Sequence, residues 1–164
     1  MILVLIFRLL SILIVRTSTD LAEEHAPIAR TLTEALLAPE RLRILTHILL
    51  TKSVEAVKSA LSLLACIPTV SIEAAHDLLR SLDFGVQSFS LCSRNRNLKD
   101  DNDVRTCFVN LISAFFFTNS NQIIRDLVNK KDALALLLNG IFTDKYQNLM
   151  LILQLLTQKI IYNC

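Results

Sequence analysis

Apolar residues recur along this chain at intervals of three and four positions, the spacing of one face of an α-helix. Each apolar stripe predicts a helix, and the stripes begin at Met1, Leu21, Leu42, Val54, Ile72, Val104, Ile123, Ala133 and Leu149. The most regular stripe contains Val104, Phe108, Leu111, Ile112 and Phe115, and Phe116 and Phe117 broaden it. Only 2 of the 164 residues are glycine, which argues against the tight turns of a sheet protein. The pattern therefore predicts an all-α protein.

Residues that favour the two ends of a helix lie between the stripes. Predicted N-terminal caps are Asp20 or Thr19, Ser53, Ser71, one of Asp101, Asn102 and Asp103, then Asn119 or Ser120, Asp132 and Thr143. Pro39 and Pro68 each end the helix before them, and Gly140 suits the left-handed residue after a helix. A further short helix or helical turn is expected between residues 83 and 91.

Helix pairs are predicted to recur every ~35 to 45 residues, which is close to the period of HEAT and armadillo repeats. This favours an armadillo/HEAT-like α-solenoid of about four to five helix pairs over a compact helical bundle. Residues 1–164 would form a single helical-repeat segment with one polar loop near 92–102. Both ends of the chain are apolar, so we expect the segment to belong to a longer solenoid.

The apolar run Met1–Val15 has two alternative interpretations: a targeting or membrane-anchoring segment, or a helix of the fold. It is shorter than the ~20 residues that a membrane span needs. Arg8 lies in its middle, no basic residue precedes it and no small-residue cleavage site follows it. These features favour a buried first helix and no membrane association.

Charge and reactive residues reveal no recognisable chemistry. Lys and Arg number 17 and Asp and Glu 15, a net charge of +2 that does not indicate a strong attraction to nucleic acid or anionic membrane. The histidines and the four cysteines lack the spacing of metal or catalytic motifs. We therefore expect no enzymatic activity, no cofactor and no small-molecule substrate.

Two small basic clusters are the candidate contact residues for RNA or a partner. Arg94, Arg96 and Lys99 lie in the polar loop, and Lys130 and Lys131 are adjacent further along the chain. Either cluster could contact phosphate, and the alternative is ordinary solvated surface charge.

Four segments, in order, carry a resemblance to a known family. They are ILIVRTSTDL at 12–21, the helix–break–helix segment at 59–84, DVRTCFVNLISAFF at 103–116 and the segment from NGIFTDKYQ to the last helix at 139–161. Together they resemble the N-terminal helical domain of the nucleolar pre-ribosomal-associated protein 1 family.

The resemblance implies a non-catalytic, armadillo-like scaffold in the nucleus and nucleolus that acts in early assembly of the large (60S) ribosomal subunit and in pre-rRNA processing. The implied partners are pre-60S assembly factors including a DEAD-box helicase, with pre-rRNA and small nucleolar RNA (snoRNA) bound directly or indirectly. Asp103 would cap its helix, and Arg105, on the polar side, would pair with a neighbouring repeat. A generic HEAT or armadillo adaptor that binds a partner peptide or helix is the alternative.

Overall fold

A computed structural model of the chain describes residues 1–19, 26–51, 53–84, 101–139, 141 and 144–157. These residues form nine α-helices and one 3₁₀ turn, with no strand among them. The helices are α1 (Ile2–Thr19), α2 (Ala26–Leu37), α3 (Pro39–Ile48), α4 (Val54–Cys66), α5 (Ile72–Ser81), α6 (Asp101–Phe117), α7 (Asn121–Asn129), α8 (Lys131–Leu138) and α9 (Tyr146–Leu155), and the 3₁₀ turn is Ile67–Thr69. The predicted all-α class is confirmed.

Three predicted serine caps are present where the local sequence placed them. The hydroxyls of Ser53, Ser71 and Ser120 accept hydrogen bonds from the backbone N–H three residues later, at 3.4, 3.1 and 3.5 Å. Each bond satisfies an N–H group that the first turn of a helix leaves without an internal partner. These caps set the starts of α4, α5 and α7.

Proline separates helices at two positions, as predicted. Pro39 is the first residue of α3, where a missing N–H costs no helical hydrogen bond. Pro68 lies in the 3₁₀ turn directly after α4. At the last helix the structure differs from prediction, because Lys145 occupies the cap position of α9 and makes no side-chain cap bond. Thr143 lies outside the described residues, as does the segment 85–91.

The helices pack in two rows that two short helices connect. In the first row α4 contacts α1 and α6, and α6 also contacts α9. In the second row α5 contacts α2 and α7. Helix α3 contacts both α2 and α4, and α8 contacts both α6 and α7, so each short helix links the rows.

The largest buried side chains come from α6. Phe108, Phe115 and Phe116 are completely buried, in agreement with the apolar stripe. Phe117 was expected to broaden the same stripe, but it is 53% exposed because it lies at the end of the helix on the side away from the core. The prediction for Phe117 is therefore wrong.

The predicted first helix is present and packs into the fold, but it is buried on one side only, so the prediction of a buried helix is wrong for its other face. Phe7 and Ile14, two turns apart, are buried against the rest of the fold. The opposite face is apolar and exposed, with Ile2 and Leu9 at 75% and 65%. The reason is geometric, since α1 packs mainly against α2 and α4, and among the described residues no helix covers the rest of its circumference.

Candidate functional site

Arg105 forms a buried ion pair with Asp144, 39 residues later in the chain. Nε of Arg105 lies 3.0 Å from Oδ1 of Asp144, and Nη2 lies 2.9 Å from Oδ2. The two side chains are only 8% and 1% exposed. Arg105 was expected on the polar side of its helix, which is wrong, because its guanidinium points into the contact between α6, the end of α8 and the segment before α9.

The same guanidinium also satisfies the end of α8. Nη1 donates to the carbonyl oxygen of Leu136 at 2.7 Å, and Nη2 donates to that of Leu137. Both carbonyls belong to the last turn, where a helix has no internal donors and carries partial negative charge. The carbon of the guanidinium also lies 5.9 Å from the centre of the Phe108 ring. One side chain thus joins α6, the end of α8 and the segment before α9.

An exposed ion-pair network runs across the first row of helices beside this buried pair. Arg8 on α1 lies 2.6 Å from Glu55 on α4, and Glu55 lies 2.9 Å from Lys58. Lys58 lies 3.6 Å from Asp103 on α6, and Asp103 lies 3.0 Å from Lys145 at the start of α9. These five residues form the ion-pair network and connect all four helices of the row.

The network explains the position of Asp103, which is not a helix cap. Helix α6 begins at Asp101, so Asp103 lies inside its first turn, and its carboxylate contacts other helices. The hydrogen bond and positive charge of Lys145, followed by the charge of Lys58, lower the pKa of Asp103. Lys58 lowers the pKa of Glu55 in the same way. Exposed pairs are individually weak, so the network matters as a connected set.

Lys130, expected as a contact residue, makes intramolecular bonds. Its ammonium donates to the carbonyl oxygens of Leu79 and Leu82, at 2.6 Å each, and lies 5.7 Å from the centre of the Phe84 ring. Partial burial lowers its pKa. Because it satisfies carbonyls at the end of α5, its charge stabilises the contact between α5 and α7 rather than pointing into solvent.

The remaining predicted contact residues are not brought together by the described part of the chain. Lys131 is the first residue of α8. Arg94, Arg96, Lys99 and Gly140 lie outside the described residues. The contact role of Arg94, Arg96, Lys99 and Lys131 therefore stays a prediction.

Comparison with known families decides what kind of chain this is. Residues 1–163 match the family Npa1, described as Ribosome 60S biogenesis N-terminal. The chain belongs to this family. The match extends over nearly every residue, including the nine described helices and both residues of the Arg105–Asp144 pair.

Two relatives of this Npa1-family chain carry the name nucleolar pre-ribosomal-associated protein 1. The mouse protein is 24% identical over 160 residues, which is 97% of this chain and 7% of the mouse protein. The human protein is 22% identical over 160 residues, with the same shares covered. The chain thus spans about 7% of the length of the curated relatives it matches. No solved structure matches it.

Other features of the Npa1-family chain add no reactive centre in its described ranges. No group of three metal-binding side chains occurs there. Among the same residues, no helix combines the length and apolar character needed to cross a membrane. Cys66 and Cys107 are free thiols, and burial raises the pKa of both.

Sequence reasoning missed Asp144 and Asn148, which hold α9 against α6. Asn148 is 3% exposed and donates to the hydroxyl of Thr106 at 3.1 Å. No local pattern indicates either contact, because the partners are 39 and 42 residues apart. A signal for Arg105 did exist, since positions 105, 108 and 112 share one helix face and Phe108 and Ile112 are buried.

Proposed function

We propose that this chain is a segment of an armadillo-like α-solenoid that acts as a non-catalytic scaffold in early nucleolar assembly of the large (60S) ribosomal subunit. The observation that carries the proposal is the family match over residues 1–163, whose description names 60S ribosome biogenesis. The name of the mouse and human relatives supports a nucleolar, pre-ribosomal location.

The order of helix contacts supports the solenoid part of the proposal. Helices of the first row begin at residues 2, 54, 101 and 146, and helices of the second row begin at 26, 72 and 121. Successive starts are thus 45 to 52 residues apart. This is near the period of about 40 to 47 residues of HEAT and armadillo repeats. The interval between the starts of α2 and α5 contains three helices, α2, α3 and α4. The proposed repeat unit is therefore longer than the predicted helix pair.

The buried pair and the ion-pair network support a scaffold role, because both connect helices that come from different parts of the chain. Arg105 joins α6 to the end of α8 and to the segment before α9. In a solenoid each unit contacts its neighbours, so contacts of this kind set the angle between units. A fixed angle is what a protein needs in order to present partners in a defined arrangement.

Exposed apolar faces at both ends of the first row support a place in a longer solenoid. Ile2 and Leu9 are exposed on α1, and Tyr146 and Met150 are 74% and 47% exposed on α9. Further repeats would cover such faces, because stacking buries the apolar side of each unit. The small share of the relatives that this chain spans is consistent with additional repeats in the proteins of this family.

The proposed partners are those that the family resemblance implies: pre-60S assembly factors including a DEAD-box helicase, together with pre-rRNA and snoRNA. The proposed contribution of the chain is to hold these partners in place, and the chemistry belongs to them.

The test is gradient sedimentation of nuclear extract that contains the tagged protein carrying this chain, with pre-rRNA probed in each fraction. We expect migration with early large-subunit precursors, lost after nuclease treatment. Depletion should lower large-subunit precursors while small-subunit precursors persist, and wild-type protein added back should restore them. Cytoplasmic protein that migrates as a small, nuclease-insensitive species would refute the proposal and favour the generic adaptor.

A further inference from the structure

A groove of about 310 Å³ lies between α2 and the beginning of α5, away from the Arg105–Asp144 pair and the ion-pair network. Thr33 and Glu34 line it from α2, and Glu73 and Asp77 line it from α5. A volume near 300 Å³ is at the small end of ligand sites, so the groove suits one long side chain and its flanking backbone.

One of the residues that line this groove carries a buried hydroxyl without a partner. Thr33 is 1% exposed, and its Oγ1 makes no hydrogen bond. Thr31 on the same helix and Thr46 on α3, by contrast, bond to the carbonyl oxygen four residues earlier, at 2.9 and 3.1 Å. A buried polar atom that gains no such bond costs free energy, and a ligand that supplied a donor would recover it.

The charged side chains that line the groove determine which charge on a ligand is favoured. Glu34, Glu73 and Asp77 contribute three carboxylates, and Arg30 contributes one positive charge. Hydrogen bonds with the backbone and with Ser71 at the start of α5 lower the pKa of Glu73, and the positive charge of Arg30 lowers it further. The lining is thus acidic on balance, which opposes the phosphates of RNA and favours a cation.

We propose that this groove binds an arginine-bearing segment of a partner protein, whose guanidinium pairs with the carboxylates of Glu34 and Asp77 and donates a hydrogen bond to Oγ1 of Thr33. Arginine fits better than lysine because its planar group presents five N–H donors in a fixed fork, enough for carboxylates and a hydroxyl together. The groove would bind such a segment whether or not the protein takes part in 60S assembly. If the peptide fails to bind, the proposed function is unaffected. If the role in 60S assembly is refuted, the peptide-binding proposal is likewise unaffected.

The test is fluorescence anisotropy of the full 164-residue chain with a labelled Gly-Ser peptide that carries a central arginine. A peptide with citrulline in place of arginine is the matched neutral control. We expect the arginine peptide to bind on the order of tenfold more tightly than the citrulline peptide, as expected for charge-assisted bonds. Equal binding of the two peptides, or no binding of the arginine peptide, would overturn the proposal.

Three variants locate the binding. Thr33→Val removes the hydroxyl at nearly constant volume, and the double change Glu34→Gln and Asp77→Asn removes two charges at constant shape. Both should weaken binding of the arginine peptide on the order of tenfold. Glu40→Gln, at an exposed acid on α3 outside the groove, should leave it unchanged.

A stability measurement shows whether a variant that binds weakly is still folded. Thr33→Val replaces an unpartnered buried hydroxyl by a methyl group, so its urea midpoint should equal or exceed that of the wild-type chain. Unchanged peptide binding in a folded Thr33→Val chain would overturn the role of the hydroxyl. An RNA oligonucleotide that binds the wild-type chain and loses affinity in Thr33→Val would also overturn the proposal.

Discussion

Replacing Arg105 by methionine tests whether the buried ion pair holds the fourth helix of the first row in place. The change keeps an apolar stem of similar length but removes every hydrogen bond of the guanidinium. Asp144, whose side chain is 1% exposed, is then left as a buried carboxylate without its cation. The carbonyl oxygens of Leu136 and Leu137 also lose their donors.

The expected cost follows from this burial. Removing one partner of a buried pair destabilises a protein by about 3–5 kcal/mol, because the remaining charge stays in a poorly solvated place. Asp144→Asn keeps the shape of the side chain and should cost about 3 kcal/mol, since Arg105 retains its bonds to α8. The double variant should be about 1–3 kcal/mol more stable than the sum of the two single changes predicts, because the charges then disappear together.

The assay is urea unfolding of the full chain, followed by the helical signal in circular dichroism. A loss of about 4 kcal/mol with a slope of about 2 kcal/mol/M lowers the midpoint by about 2 M. Arg125→Met, at an exposed position on α7, is the matched control and should stay within about 0.5 kcal/mol of wild type. Single variants within about 1 kcal/mol of wild type, or strictly additive costs, would refute the buried-pair interpretation.

Other predictions concern the core, the ion-pair network and a cap. Phe108→Ala should lower the free energy of unfolding by about 3–5 kcal/mol, because the ring is fully buried. Phe117→Ala, on the same helix and 53% exposed, should cost clearly less in the same urea titration, and equal costs would contradict the burial pattern. The pKa of Asp103 is lowered from 3.8, mainly by Lys145, so the folded state binds fewer protons than the unfolded state. Its contribution to stability is therefore complete above pH 3.8 and is lost as the pH falls through the lowered pKa. In Asp103→Asn, the free energy of unfolding should fall less over that acidic range than it does in the wild-type chain. An unchanged pH profile would exclude the network as the source of that fall. Ser71→Ala should cost about 1 kcal/mol by removing the cap of α5, measured as a lower thermal midpoint, and a midpoint equal to wild type would show that the cap is not needed.

The local parts of the fold could be predicted from neighbouring residues. Apolar spacing located the helices, and serines at 53, 71 and 120 located three helix starts, because a cap bond joins residues only three positions apart. Pro39 and Pro68 located two breaks for an equally local reason, the missing N–H.

The candidate site could be predicted only in part. Arg105 was singled out, but it was placed on the wrong side of its helix, since an arginine in an apolar stripe is ambiguous until its partner is known. Lys130 was expected in solvent. Its ammonium instead bonds to Leu79 and Leu82, about 50 residues earlier in the chain, and the spacing of residues along the sequence does not reveal contacts over that distance.

By itself, the sequence determined that the described part of this protein is all helical, where most of its helices begin and end, and that its core is built on the phenylalanines of α6. These properties depend on side chains within one or two turns of each other. Only the tertiary structure decided which face of α1 is covered, that Asp144 neutralises Arg105, and that Thr33 lacks a partner inside an acidic groove. Those outcomes depend on helices brought together from distant parts of the chain, and the cost of burying a charge or a hydroxyl is set by that packing.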